Sequence, residues 1–188
     1  MEWLNLFSAF GLAASAGLNA YLPLLITGCI AHYTNWITLS PPWDTLANPW
    51  VLIVLGLLVI VEMLADKIPA INHLNDAIQT FIRPAAGAIL FAAATHVIHD
   101  LHPVLGMICG LLVAGAVHGI KSLVIRPAIT ATTAGAANTP VSILEDILAA
   151  LTTLLAWLIP ILFFILFGTV LFWWLFHHRQ KLSTRRRP

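Results

Sequence analysis

No Asp, Glu, Lys or Arg occurs from Trp3 to Trp43, or again from Ile147 to His178. Shorter charge-free runs cover Pro49 to Val61, Pro84 to His99 and Leu101 to Ile120. A helix that crosses a bilayer needs about 20 mainly apolar residues, and these runs supply them repeatedly. The 188-residue chain is 60% hydrophobic and 9% charged, with a mean hydropathy of +0.91. Soluble domains are about 45–50% apolar and about 25% charged. A water-soluble fold could not hide this much apolar surface behind so few charges. The composition excludes a soluble enzyme, a nucleic-acid binder and a disordered chain, and predicts an all-α polytopic membrane protein.

The runs predict a first helix from about Leu4 to Ile30, a second from Pro49 to about Ala65, a third from about Pro84 to His99 and a fourth from Pro103 to about Ile120. The last run is long for one crossing and short for two. Five of the nine basic residues (Arg179, Lys181, Arg185, Arg186, Arg187) follow it, and four (Lys67, Arg83, Lys121, Arg126) precede it. A single crossing would divide them between the two sides. Two crossings with a turn near Trp157–Pro160 would gather all nine in the cytoplasm, as the positive-inside rule favours. The sequence thus predicts about six helical segments with both termini cytoplasmic, five full spans being the other count. Residues 1–176 form one transmembrane domain and 177–188 a basic tail held by anionic lipid. Tryptophan supports the layout, with Trp36, Trp43, Trp50 and Trp157 at the outer interface and Trp3, Trp173 and Trp174 at the inner one. Without a basic n-region or an Ala-x-Ala site, the first helix is expected to serve as an uncleaved insertion signal.

Between the second and third segments, Ile71, Leu74, Ile78, Phe81 and Ile82 recur at helical spacing, with Asn72, His73, Asn75, Asp76 and Gln79 between them. This predicts an amphipathic helix, interfacial or re-entrant. The fourth segment carries a ridge, Gly106, Gly110, Ala114, His118 and Ser122, with Gly115 and Gly119 beside it. Such ridges allow close helix packing in lipid, so this segment is expected to be central. Gly11, Ser15, Asn19 and Pro23 echo the ridge in the first segment. If the two segments are related, an odd number of spans between them makes the repeat inverted.

An ionisable group within a membrane span costs about 2.5–3.5 kcal/mol on insertion scales and is a functional hypothesis by default. Glu62 and Asp66 share a face of the second segment, followed by Lys67. His118, Lys121 and Ser122 share a face of the fourth, with Arg126 just beyond. Ser142 is a candidate N-cap for a helix bearing Glu145 and Asp146. The plain reading is loops and caps paired with one another. The functional reading assigns His118, Lys121, Arg126, Asn19 and Ser122 to an anionic ligand. Glu62, Asp66, Lys67, Asp76, Glu145 and Asp146 then act as supports or as proton or cation carriers. His96, His99 and His102, with Asp100, spread too widely around a helix for a metal site. Cys29 and Cys109 are packing residues. No motif for a catalytic centre, a metal or a cofactor occurs, so no enzyme is expected.

The blocks Asp66-Lys67-Ile68-Pro69 and 76–88, His118-x-x-Lys121-x-x-x-x-Arg126, 138–142 with Glu145-Asp146, and the opening 16–24 resemble a bacterial membrane family. It is known as domain of unknown function 4126, and the resemblance covers about residues 6–156. Its pattern tends to Arg where this chain has Asn19, which removes a charge-based role from that position. The resemblance implies that the polar blocks belong to the family pattern. Two functions follow as expectations. The first is an inner-membrane transporter or channel-like protein for an anionic small solute or a phosphate-bearing lipid headgroup, forming a homo-oligomer, with a dimer favoured. The second is a non-transporting scaffold that binds a partner or anionic lipid. An integral membrane enzyme acting on a lipid ranks behind both.

Overall fold

A computed structural model describes residues 2–67, 69–95 and 102–184. His96, His99, Asp100 and Arg185–Arg187 lie outside the described residues, as do the side chains of 69–74, Trp174, His177, His178, Arg179 and Lys181. The described chain is helical: α1 (Glu2–Leu18), α2 (Tyr21–Tyr33), α3 (Pro49–Lys67), α4 (Pro69–Thr95), α5 (Pro103–Ile120), α6 (Arg126–Thr133) and α7 (Asn138–Thr184). A 3-10 turn, Trp43–Ala47, precedes α3, and a π turn, Lys121–Ile125, joins α5 to α6. Four helical stretches (49–67, 75–95, 103–133 and 138–159) are long and apolar enough to cross a membrane. The protein is a multi-pass α-helical membrane protein.

The expected first helix is two helices. In a continuous helix Pro23 would need an N–H to bond the Asn19 carbonyl, and its ring would clash with that carbonyl. The chain breaks at Asn19–Ala20 instead, and α2 reverses direction. Ser8 of α1 bonds the Ala156 carbonyl, and Asn19 bonds Asp146 at 3.0 Å, so α1 runs antiparallel to α7. Along α2 the partners change from Glu62 and Asp146, near Ala20 and Asn19, to Trp157 at Thr27 and Leu52 at Gly28. The two helices therefore form a re-entrant pair with its tip at Asn19–Ala20. The tip is level with Glu62, about 7 Å along α3 from Lys67 at 1.5 Å per residue. With α1 entering and α2 leaving, Trp3 stands at the same end as Trp36, Trp43 and Trp50 rather than opposite them.

The last run does not fold back near Trp157–Pro160; α7 is one helix of 47 residues. Pro160 has no N–H for the Ala156 carbonyl four residues earlier, and the Ser8 hydroxyl donates to that carbonyl instead, at 2.5 Å. A foreign donor thus completes the turn that proline leaves open. The amphipathic segment is likewise not a separate element. It is the first half of α4, which continues through Pro84 into the span.

The helix α4, rather than α5, is central. An 18-residue window of the span 75–95 is 56% buried, against 22% for the corresponding window of 103–133. The helix α5 packs through its predicted ridge, with Gly106, Gly110, Ala114 and His118 all buried. A Cβ on Gly110 would come within 2.6 Å of Phe91 Cβ and closer still to the Gly87 carbonyl oxygen. Gly115 meets only the Pro84 ring at 3.6 Å, and Gly119 faces open space, so the second small-residue pair makes no tight helix contact. Gly17 of α1 packs on Ala114 and Val117, and Leu18 meets Lys121. The helices α1 and α5 thus run in the same direction. The re-entrant pair adds a segment to the count, so the Gly-ridge echo does not relate these helices by inversion.

Two predictions follow from this packing. Reporters placed in the exposed turn at Gly135 and after Pro188 should appear on opposite membrane faces; appearance on the same face would mean that α7 turns back. Gly110→Leu should reduce folded yield sharply in detergent extracts, whereas Gly119→Leu should leave it unchanged.

Candidate functional site

Where the tip of α1–α2 meets α3, α4, α5 and α7, nearly every ionisable side chain singled out above converges. Asp66 is the hub. Its Oδ2 lies 2.9 Å from Arg126 Nη2, 3.4 Å from Lys121 Nζ and 3.5 Å from Arg83 Nη2. Asn75 Nδ2 donates to its Oδ1 at 2.6 Å. Glu145 accepts from Lys121 at 2.9 Å and from Arg126 at 3.3 Å. Asp76 meets Arg126 at 3.5 Å. At the rim, Lys67 pairs with Asp146 at 2.9 Å, and Asp146 also accepts from Asn19.

Local backbone geometry makes these contacts reachable. In an α-helix, residues five apart stand about 140° apart. In the π turn the Arg126 N–H bonds the Lys121 carbonyl, which stacks the two side chains on one face. Both then reach Asp66 and Glu145. Pro127 cannot supply the α-helical bond to Leu123, so the sequence itself loosens the ladder here.

Two helix ends complete the site. The Lys121 ammonium donates to the Leu18 carbonyl at 2.9 Å, at the partly negative C-terminus of α1. The Glu62 carboxylate accepts from Ala20 N at 3.1 Å and Tyr21 N at 3.3 Å, at the partly positive start of α2. Asn19 Oδ1 caps Leu22 N at 2.9 Å. Glu62 is further held by Arg83, Nη2 at 3.0 Å and Nε at 3.3 Å, with both side chains fully buried.

The state of His118 follows from its neighbours. Arg83 Nη1 lies 3.0 Å from His118 Nδ1, and a guanidinium only donates, so Nδ1 accepts. The Thr80 hydroxyl gives its hydrogen to the Asp76 carbonyl at 2.8 Å, so at 3.2 Å it accepts from His118 Nε2. His118 is therefore neutral, with its proton on Nε2.

Of the expected ligand-binding group, His118, Lys121, Arg126 and Asn19 are brought together. Ser122 is not; its hydroxyl bonds back to the His118 carbonyl on its own helix at 2.9 Å. All six expected supports join the network. Ser142 is not an N-cap, because α7 begins a turn earlier at Asn138, and its Oγ is buried without a hydrogen-bond partner. Three participants go unassigned in the sequence reading: Arg83, Asn75 and Thr80. Their signal is the helical spacing of Asp76, Gln79 and Arg83, which extends the polar face of α4 into the span.

A cleft of about 390 Å³ opens beside the cluster, walled by Leu18, Val117, Ile120, Ile125, Val141, Leu144 and Leu148. Lys121 and Glu145 are its charged lining residues. Among the described residues no group of His, Cys, Asp or Glu is arranged to hold a metal.

Residues 6–180 match the family described as a domain of unknown function, DUF4126. The chain belongs to this family. No curated protein and no solved structure gives a match. The match reaches from within α1 to within α7 and takes in all the residues of the ionic cluster of this DUF4126 protein.

Breaking a buried ion pair from one side costs about 3–5 kcal/mol, because the partner charge is left uncompensated. Asp66→Asn and Lys121→Met should each lose stability of that order in denaturant titrations of the detergent-solubilised protein. Lys67 is one-quarter exposed at the rim, and Lys67→Met should cost about 1 kcal/mol or less. Equal losses for all three would remove the distinction between hub and rim.

Proposed function

We propose that this DUF4126 protein is a transporter or channel-like protein of the bacterial inner membrane for an anionic small solute or a phosphate-bearing lipid headgroup. The observation that carries the reading is the meeting of two helix ends inside a buried ionic cluster. Interrupted helices whose termini face a charged site within the membrane are the usual construction of transporter binding sites. A scaffold has no need of so costly an arrangement.

The site is self-closed. Glu62 occupies the position at the start of α2 and against Arg83 that an external carboxylate or phosphate would take. Glu145 does the same for Lys121 and Arg126. An incoming anion gains these cations by displacing a protein carboxylate, and that exchange is the opening step. The apolar walls of the cleft beside Lys121 favour an anion carried on an acyl chain over a freely dissolved one. In this reading the ionic cluster lies on the cytoplasmic side. The exposed apolar faces of α3 and α5 meet lipid or a second copy.

Proteoliposome flux and thermal unfolding against inorganic phosphate, small carboxylates and phosphate-bearing lipids test the proposal. A ligand specific for the folded state adds about 2.7 kcal/mol at a hundredfold excess over its Kd. Wild type should show flux or such stabilisation with at least one class. Arg126→Gln and Lys121→Met should lose it, and Lys67→Met should keep it. If wild type shows neither, while deletion after Phe176 abolishes the cellular role, the scaffold reading replaces this one.

A further inference from the structure

Among the described residues the cluster contains five carboxylates (Glu62, Asp66, Asp76, Glu145, Asp146) and four cations (Lys67, Arg83, Lys121, Arg126). His118 does not make up the difference, since Arg83 holds its Nδ1 as an acceptor. A surplus negative charge buried among membrane helices is costly, and a buried acid in that position takes up a proton.

The pairing shows which acid it is. Glu62 has two backbone N–H groups and the Arg83 fork. Asp66 has three cations and Asn75. Glu145 has Lys121 and Arg126, and Asp146 has Lys67 and Asn19. Asp76 has Arg126 alone as an ion-pair partner, at 3.5 Å, and that guanidinium lies closer to Asp66 and Glu145. Asp76 Oδ1 is buried with no hydrogen-bond partner.

One turn along the same face of α4 stands Gln79, only 2% exposed, whose Oε1 is also buried and unpartnered. Gln79 lies between Asp76 and the inward-facing Arg83, so its amide is directed into the same interior. Two acceptors cannot bond each other. A proton on Asp76 Oδ1 converts them into a donor and an acceptor. A divalent ion would need about six or more oxygen ligands, and these two orphaned oxygens fall far short.

We infer that Asp76 holds the exchangeable proton of the network and shares it with Gln79. The groups facing it are Asp66 from α3, Arg83 and Thr80 from its own helix, His118 and Lys121 from α5 and the π turn, Arg126 from α6, and Glu145 through Arg126. The Asp76 side chain is 18% exposed, against 2% or less for Glu62 and Asp66, so protons from solvent meet it first. Loss of the proton adds a third charged claimant to the two carboxylates that already share Arg126, and weakens its hold on Asp66. The inference stands on the charge balance, independently of the transport reading; if the protein transports, this proton is its coupling ion.

The test is infrared difference spectroscopy of the full chain in lipid vesicles, in H2O and D2O. At neutral pH wild type should show a protonated-carboxyl band that disappears at high pH and returns on acidification. Asp76→Asn should lose it, and Asp44→Asn, altered in the exposed 3-10 turn before α3, should keep it. Gln79→Leu should retain the band at a shifted frequency, because the acceptor is gone. Asn at 76 keeps a donor for Gln79, so this variant should fold and should lose the fall in unfolding temperature that accompanies deprotonation of wild type. Absence of the band from wild type, its survival in Asp76→Asn, or an unshifted band in Gln79→Leu would each overturn the inference. Removal of the band by Na⁺ or K⁺ at fixed pH would assign the place to a cation instead.

Discussion

A carboxylate within the membrane must take its counter-charges in with it, and Asp66 takes three. Arg83, Lys121 and Arg126 reach it from α4, the π turn and α6, while Asp66 itself belongs to α3. No single helix could enter the bilayer cheaply with its own share of these charges. Together they become tolerable, because each ion's desolvation is offset by partners at hydrogen-bond distance. The cluster therefore fixes which helices must be neighbours and at what depth. The alanine- and glycine-rich surfaces of α1, α4 and α5 then let those helices approach closely.

Backbone groups belong to the same balance. A helix that ends inside lipid leaves N–H or C=O groups without partners, each costing several kcal/mol, on the order of a lost hydrogen bond or more. At Asn19–Ala20 the chain ends one helix and starts another, and the charged groups meet the cost. Lys121 serves the carbonyl end and Glu62 the amide end. The break needs the ions as much as the ions need the break. The π turn belongs to the same arrangement, since without it Lys121 and Arg126 would point to different sides of their helix.

The sequence exposes the expense of these residues more readily than their partners. Glu62 and Asp66 at i, i+4, and the ridge ending in His118, are visible because charges and glycines stand out against apolar runs. Arg83 is hidden by its surroundings. An amphipathic pattern tells which face of 69–83 is polar, but water and a charged partner satisfy that face equally well. The positive-inside count fails for a related reason: it treats Arg83, Lys121 and Arg126 as free interfacial charges, whereas carboxylates neutralise them. Proline is the other ambiguous signal. Pro23 breaks its helix because Glu62 and Asn19 are there to cap the new start. Pro160 leaves its helix intact because Ser8 is there to bond the open carbonyl. The deciding partners, Glu62 for Pro23 and Ser8 for Pro160, stand on other helices far along the sequence, beyond any local window.

Stability alone does not account for a network of so many buried ion pairs. Hydrophobic residues of similar volume can replace buried ion pairs without loss, and often with gain. What an apolar core cannot do is change partners. Here Asp66 and Glu145 share Lys121 and Arg126, and Glu62 and Asp66 share Arg83. Each of these three cations therefore has a second carboxylate within 3.5 Å of its own nitrogens, and small displacements exchange bonds without leaving any charge bare. Such degeneracy lowers the cost of moving α3, α4, α5 and α7 relative to one another around the α1–α2 tip. A binding site that must open within a membrane needs this property; a static tie between helices does not.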